Sequence, residues 1–280
     1  MSSTKLGWCQ LPKSEPFLEC FSAGPGRKIA YCDYASAEMH VSALASLDPN
    51  MLKLYGREAN PNHDIYLFNA ANIPFWKDEV RTYYDLDNPN KERIDQAKHD
   101  LKHIRNICKP TTLAHQYGAS HFRMFNELTL LGIDVTEQDC QVIKQTLDNT
   151  YPGVVAFGKR LKAEWVSNGG WFLNGYGRPM VVHYSYSKDI LNRYIQSTAH
   201  DLLTFYIRLL NPEMRRIGGW PFFVDTHDDT QWSIPADAGE EAARIMHATF
   251  DKLNEQLDAP VLFKGDVKIA DNLAQIKCGD

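Results

Sequence analysis

Hydrophobic and polar residues follow two different periods along this chain. In the longer segments apolar residues recur at three- and four-residue steps, the spacing of one buried face of an α-helix. The helical segments are 91–117, 136–149, 153–168, 187–209 and 237–257. Shorter β-like runs lie at 29–32, 220–226, 230–234 and 261–269. Because the strands do not alternate strictly with the helices, the pattern predicts an α+β fold.

Glycine and proline divide these segments. A glycine-rich stretch at 168–178 predicts a hairpin. Tyr151-Pro152-Gly153 separates two of the helical segments, and Pro110 lies inside another. Since proline has no backbone N–H, we expect a kink or a lost hydrogen bond at Pro110.

Composition adds few constraints. The 280 residues are 44% apolar, enough for one large core or two smaller ones. The formal charge of −5 argues weakly against a nucleic-acid partner. Basic residues are nevertheless concentrated between Lys91 and Lys109, and this run is either part of a basic cleft or a solvated helix face. The six cysteines lack metal-binding spacing, and no apolar run is long enough to span a membrane. We therefore expect a soluble, cytoplasmic protein.

Aspartates stand beside two of the β-like runs. Asp33 ends the first run, and Asp228 and Asp229 lie between the runs at 220–226 and 230–234. Carboxylates brought together from separate strands would offer the hard oxygen ligands that Mg²⁺ prefers, as metal-dependent phosphoryl transfer requires. A turn or capping role is the alternative for an aspartate at a strand end.

A second group lies on the predicted helix 91–117. Arg105 and Lys109 are four residues apart and therefore share a face, and Tyr117 follows a little over two turns later. Two cations and an aromatic ring on one face suit a triphosphate and a stacked base. A solvated charged helix with a core tyrosine is the alternative.

Three motifs occur in an order that resembles the family A DNA polymerases, the polymerase I type. The segment 33–40 resembles the family's D-Y-S-x-x-E-L-R motif, 105–118 resembles R-x-x-x-K-x-x-x-F/Y-x-x-x-Y-G, and 224–229 is similar to V-H-D-E. Weaker likeness at 63–66, 151–154, 175–178 and 192–201 extends the resemblance from about residue 29 to the end of the chain.

The resemblance implies a role for each matching residue. Asp33 and Asp228, with the Tyr34 backbone carbonyl, would hold two Mg²⁺ ions, and Lys109 would act with these aspartates in catalysis. The nucleotide-binding residues would be Arg105, Lys109, Leu113, Tyr117, Glu38 and Tyr66, with Tyr117 at the templating position and Glu38 excluding a ribose 2′-hydroxyl. The DNA-binding residues would be Asn192, Gln196, His227, Asp229 and Arg178. Departures from the motifs are Leu113 for an aromatic residue, Tyr66 for histidine and Asp229 for glutamate.

The resemblance also implies an organisation. We expect an antiparallel palm sheet built from 1–62 and 187–280, with helical fingers at 63–186. Only 32 residues precede Asp33, so we expect the thumb, the remaining palm and any exonuclease on a second polypeptide. The chain would then be one part of a split polymerase, as in a bacteriophage, and its other partners would be primer–template DNA and dNTPs.

Two rival functions stay open. A single-subunit RNA polymerase shares the aspartate–lysine–tyrosine order, but Glu38 argues against it because that enzyme needs a small residue where the 2′-hydroxyl enters. The other rival is a catalytically inactive DNA-binding accessory protein, which would have no chemical reason to retain Asp33, Lys109, Tyr117 and Asp228 together.

Overall fold

The structure is a computed structural model that describes residues 14–223 and 229–278. Its strands are β1 (Arg27–Tyr34), β2 (Trp171–Leu173), β3 (Pro179–Val181), β4 (Trp220–Phe223), β5 (Asp229–Pro235) and β6 (Gly265–Ala270). Its helices are α1 (Glu15–Glu19), α2 (Ala37–Ser46), α3 (Pro49–Tyr55), α4 (Ile65–Ala70), α5 (Lys77–Val80), α6 (Lys91–Asp100), α7 (Lys102–Gln116), α8 (His121–Leu130), α9 (Glu137–Thr150), α10 (Pro152–Ser167), α11 (Ile190–Arg216), α12 (Gly239–Leu257) and α13 (Leu273–Lys277). The predicted α+β class is confirmed.

The chain forms two compact units. The sheet unit comprises the described parts of Met1–Ala37, Ala199–Ala259 and Phe263–Asp280. The helical unit comprises Glu38–Thr198 and Pro260–Leu262. No helix in the part of the chain that the structure describes combines the length and apolarity needed to cross a membrane.

In the sheet unit, four antiparallel strands lie in the order β4-β5-β1-β6. Residues Ile29 to Cys32 of the central strand β1 are all buried, because helices cover both faces of the sheet. On one face Tyr34 packs edge-on against Tyr206 and Phe250, whose rings stack with centroids 4.3 Å apart. This aromatic contact fixes the strand that carries Asp33 against α11 and α12.

The opposite face of the sheet is covered by the two short helices α1 and α13. Ile29 and Tyr31 pack there with Leu18 of α1 and with Leu273 and Ile276 of α13. A Cβ added at Gly265 on β6 would lie 2.4 Å from the ring of Phe250. The close packing between β6 and α12 therefore requires glycine at this position.

The helical unit is held together by polar contacts across its core. Asp48 caps α3 through the backbone N–H groups of Asn50 and Met51, and its second carboxylate oxygen accepts from the Gly153 N–H at 2.7 Å. The buried Tyr151 hydroxyl donates to Asn69 at 2.6 Å. These bonds satisfy polar groups in the interior that would otherwise be costly to bury.

The structure differs from the predicted elements at several boundaries. The predicted helix 91–117 is two helices, α6 and α7, which meet at the buried Leu101, where φ is −102° and ψ is 25°. The helix α7 continues through Pro110. Proline cannot donate to the carbonyl of Asn106, and that residue is exposed, so water can take the missing donor's place. The helix predicted at 187–209 extends to Arg216.

Candidate active site

Three aspartates occupy opposed positions on the sheet. Asp33 on β1 pairs with Asp229 on β5 and with Asp266 on β6. Side chains at directly opposed positions of antiparallel strands project from the same face. Since like charges placed opposite each other are destabilising, this row needs a compensating cation.

Lys277 on α13 supplies that cation to Asp229. The Asp229 side chain is 7% exposed, and its carboxylate accepts from Lys277 Nζ at 3.0 Å and from Gln231 Nε2 at 3.1 Å. Lys277 Nζ also lies 2.6 Å from the hydroxyl oxygen of Tyr31. Asp229 is therefore fixed at the start of β5 by an ion pair that the motif did not indicate.

The surroundings of Asp33 determine which ligands a metal ion could have there. Asp33 is half-buried and offers a hard oxygen ligand suited to Mg²⁺. Burial raises the pKa of the neighbouring Cys32 thiol to about 12, with the charges of Asp33, Asp266 and Asp229 adding to the effect. The thiol therefore stays protonated and is no competing ligand. The Tyr34 ring is buried in the aromatic cluster, so only its backbone could contribute.

Asp228 and His227 lie outside the described residues. Within 14–223 and 229–278, the structure contains no group of three His, Cys, Asp or Glu side chains that could hold a metal ion. The carboxylate chemistry of Asp33 fits magnesium, and the second predicted ligand, Asp228, stays a prediction.

The predicted nucleotide-binding residues of α7 lie along one face of the helix. Arg105, Lys109 and Leu113 follow at four-residue steps, and Tyr117 is the residue that caps the C-terminus. Lys109 is exposed and the other three are half-buried. Beside this line, about 100° around the helix, Ile104, Cys108 and Thr112 are buried. The helix thus presents two cations, an apolar side chain and an aromatic ring in a line.

Arg105 is anchored by Asp64, which lies in the resembling segment 63–66 but to which the resemblance gave no role. Asp64 Oδ2 accepts from Arg105 Nη2 at 3.2 Å and from Nε at 3.4 Å, and the guanidinium lies 4.9 Å from the centroid of the Tyr66 ring. The other oxygen of Asp64 caps α4 through the backbone N–H groups of Tyr66 and Leu67. An aspartate before an apolar run is a helix-start signal, so the cap could have been predicted.

Tyr66 and Glu38 share an environment with this pair. Burial raises the pKa of the Tyr66 hydroxyl, the charges of Asp64 and Glu38 raise it further, and Arg105 opposes them. Tyr66 therefore stays a neutral hydrogen-bonding group near neutral pH. Lys109 makes no ion pair with any residue of the described chain and stays available to a ligand.

The predicted DNA-binding residues lie in several environments. Asn192 and Gln196 lie one turn apart on α11; Gln196 is exposed, whereas the amide oxygen of Asn192 is buried and has no hydrogen-bond partner among the described residues. Arg178 is exposed, and its Nη2 donates to the Ser197 carbonyl at 3.2 Å. The buried Asn174 accepts from the Arg178 N–H at 2.9 Å and so orders the turn between β2 and β3.

Comparison with a solved structure gives the fold. The chain superposes on the POL domain of Pol1 from M. smegmatis, solved in complex with DNA primer-template and dNTP, with a TM-score of 0.73. The match covers 98% of this chain and 45% of that one, at 16% identity. The fold is that of a DNA polymerase domain.

Comparison of sequences gives the family. The family model for DNA polymerase family A matches residues 11–275, and the chain belongs to that family. A DNA polymerase of Mycobacterium phage D29 is 27% identical over 252 residues, covering 88% of this chain and 36% of the relative. A DNA polymerase of Mycobacterium phage L5 is 26% identical over 271 residues, covering 96% and 38%. The chain thus spans somewhat more than a third of these curated relatives, and the resemblance inferred from the motifs is confirmed.

Proposed function

We propose that this chain carries the nucleotide-incorporating site of a template-directed DNA polymerase, which transfers a nucleotidyl group from a dNTP to a primer 3′-hydroxyl with two Mg²⁺ ions. The observation that carries the proposal is the line of Arg105, Lys109, Leu113 and Tyr117 on α7, in a chain of family A. A triphosphate requires cations at fixed positions, and this helix provides them.

The two cations of α7 have different tasks in this proposal. The Nε and Nη2 groups of Arg105 donate to Asp64. The remaining N–H groups of the guanidinium can therefore donate to phosphate oxygens. Lys109 adds a mobile point charge on the same face. Magnesium bound at Asp33 and Asp228, with the Tyr34 carbonyl, would neutralise the triphosphate and activate the attacking hydroxyl.

The remaining residues define the substrate. Tyr117 offers an aromatic surface at the templating position, and Leu113 offers a smaller apolar contact than the aromatic residue usual in the family. Glu38 occupies the position from which a ribose 2′-hydroxyl is excluded, which favours dNTPs over rNTPs. Asn192, Gln196 and Arg178 bind primer–template DNA in this proposal, and His227 and Asp229 lie near the primer end.

The expectation of a second polypeptide stays a prediction. Co-purification of tagged chain from its native source, followed by primer extension with and without the recovered partner, tests it. Equal extension by the isolated chain and by the recovered complex would show that no partner is needed.

Single-nucleotide primer extension tests the proposed function. Lys109→Ala removes a charged hydrogen bond to phosphate, worth about 1.5–3 kcal/mol, and should raise the dNTP KM or lower kcat/KM by roughly 10- to 150-fold. Lys77→Ala removes an exposed lysine from α5 as the matched control and should have no effect. Asp33→Asn should abolish magnesium-dependent extension.

Three outcomes separate the proposal from its rivals. Undiminished extension by Asp33→Asn would remove this aspartate from the metal site. DNA binding without extension by any preparation, including the complex with its partner, would favour the inactive accessory protein. Efficient rNTP incorporation by the protein with Glu38 intact would favour the RNA polymerase.

A further inference from the structure

One buried hydrogen bond joins the helix that carries Glu38 to the helix that ends beside Tyr117. Ser42 on α2 donates from Oγ to Oε1 of Gln116, the last residue of α7, over 2.5 Å. Ser42 and Gln116 are 2% and 1% exposed. Bulk water therefore cannot take the place of either partner, and the bond depends on the relative position of the two helices.

Each partner lies next to a residue that contacts the substrate in the proposed function. Glu38 and Ser42 are four residues apart on α2, so their side chains project from the same side of the helix. Gln116 directly precedes Tyr117 in the chain. A displacement of α2 relative to the end of α7 would therefore change the separation of Glu38 and Tyr117.

The amide of Gln116 is also held from its other end. Its Nε2 lies 3.7 Å from Sδ of Met51, a fully buried residue of α3. The helices α2 and α3 contact each other in turn through the rings of His40 and Tyr55, whose centroids are 4.8 Å apart. Gln116 thus fixes the end of α7 against two helices that already pack together.

The stability of the fold does not by itself require a polar pair at this place. Replacing both partners of a buried hydrogen bond by apolar groups of the same shape is nearly neutral, whereas removing one partner leaves a buried polar group unsatisfied. Apolar side chains can pack in several arrangements, but a hydrogen bond forms only over a narrow range of distance and angle. A buried polar pair between two helices is therefore suited to fixing their register.

We infer that Ser42 and Gln116 are positioning residues that set the spacing between Glu38 and Tyr117, and with it the discrimination between deoxyribonucleotides and ribonucleotides. The inference rests on the proposed function, which places Glu38 against a ribose 2′-hydroxyl and Tyr117 at the templating base. The resemblance gave no role to Ser42 or Gln116.

The test measures nucleotide binding rather than turnover. The full chain, with any co-purifying partner, is bound to a primer–template whose primer ends in a dideoxynucleotide, so that no new bond can form. Isothermal titration calorimetry with the matching rNTP and dNTP gives the ratio of their Kd values. Ser42→Ala, Gln116→Met and the double variant should each lower this ratio roughly two- to tenfold, the equivalent of one net hydrogen bond.

Urea unfolding of the same variants separates positioning from folding. Each single substitution removes one partner of the bond and should lower the unfolding midpoint, whereas the double variant should return close to the wild type. Recovery of the midpoint without recovery of the Kd ratio is the result expected for a positioning pair. A double variant that recovers both quantities, or that is as unstable as the single variants, would overturn the inference.

The matched control is Tyr151→Phe, which removes another buried hydrogen bond of the helical unit. The Tyr151 hydroxyl donates to Asn69, and the Asn69 amide donates to Thr112 on α7, so these bonds reach α7 without involving α2. The control should lower the unfolding midpoint and leave the Kd ratio unchanged. An equal fall of the ratio in the control, or an unchanged ratio in the Ser42 and Gln116 variants, would contradict the positioning role.

The same measurements distinguish this inference from the proposed function. Because binding to a terminated primer requires no catalysis, a protein that discriminates between the two sugars but never extends a primer would refute the proposed reaction and leave the positioning role intact. A wild type that extends primers but binds rNTP and dNTP equally would overturn the positioning role and leave the proposed reaction intact.

Discussion

Asp64 performs two tasks with two different oxygens, so two substitutions can separate them. Oδ1 caps α4 through two backbone N–H groups, and Oδ2 holds Arg105. Asp64→Asn keeps an oxygen for the cap but places an amide N–H₂ against the guanidinium. Asp64→Ala removes both interactions.

The magnitudes follow from these contacts. Loss of an N-cap costs about 1 kcal/mol. The side chains of Asp64 and Arg105 are 10% and 31% exposed, so the ion pair is partly screened and contributes about 1 kcal/mol. Asp64→Asn should therefore lower the free energy of unfolding by about 1 kcal/mol and Asp64→Ala by about 2 kcal/mol.

Both substitutions also release the guanidinium of Arg105 from its fixed orientation. We expect the dNTP KM to rise roughly five- to tenfold in each, with kcat less affected, because about 1 kcal/mol of triphosphate binding depends on that orientation. The two variants should thus differ in stability and agree in KM.

Equilibrium urea unfolding measures the first quantity, and steady-state single-nucleotide extension measures the second. In an Arg105→Ala background, Asp64→Asn should have no further effect on KM, since the group it positions is gone. An unchanged KM in Asp64→Asn, or an equal additional loss in the Arg105→Ala background, would refute the positioning role. Equal stability of the Asn and Ala variants would refute the cap.

Three further predictions concern stability. A Cβ at Gly153 would lie 2.9 Å from Asp48 backbone and side-chain atoms, so Gly153→Ala should cost about 1–3 kcal/mol in urea unfolding. Lys277→Met leaves the Asp229 carboxylate buried without its cation and should cost about 1–2 kcal/mol, less than for a fully buried pair because Lys277 is 39% exposed; an unchanged midpoint would contradict the ion pair's role. Burial lowers the pKa of His115 below its ordinary value of 6.5. Below pH 6.5 the unfolded chain therefore binds more protons than the folded chain, and the free energy of unfolding decreases as the pH is lowered. His115→Gln should flatten that dependence by up to about 1.4 kcal/mol per pH unit, and an unchanged slope would exclude His115 as its source.

The helices were the part of the fold most accessible from sequence. A stripe of apolar residues at helical spacing is a local property, and the segments at 136–149, 153–168 and 237–257 match α9, α10 and α12 to within about two residues. The break at Leu101 was missed because its side chain is buried and continues the apolar stripe across the junction. Periodicity alone does not reveal a change of helix axis.

The last strand shows a different limit of prediction from sequence. The apolar run from Val261 predicts a strand, yet β6 begins only at Gly265. The reason is Asn254 on α12: its side-chain amide donates to the Phe263 carbonyl and accepts from the Phe263 N–H, both at 2.8 Å. A side chain thus satisfies the backbone groups that a neighbouring strand would otherwise bind. This contact comes from the tertiary fold, which a propensity argument does not contain.

The candidate site shows which charges sequence motifs identify and which they do not. Motifs gave roles to Arg105 and Asp229 but none to their partners Asp64 and Lys277, which lie 41 and 48 positions away in the chain. In both pairs the carboxylate is the more buried member, at 10% and 7% exposure, and a buried carboxylate is costly unless a cation pairs with it. Pairing therefore separates charges that fix the scaffold from those available to a ligand. By this criterion Asp229 stabilises the scaffold, Arg105 both stabilises the scaffold and can bind a ligand, and the exposed Lys109 is available to a ligand.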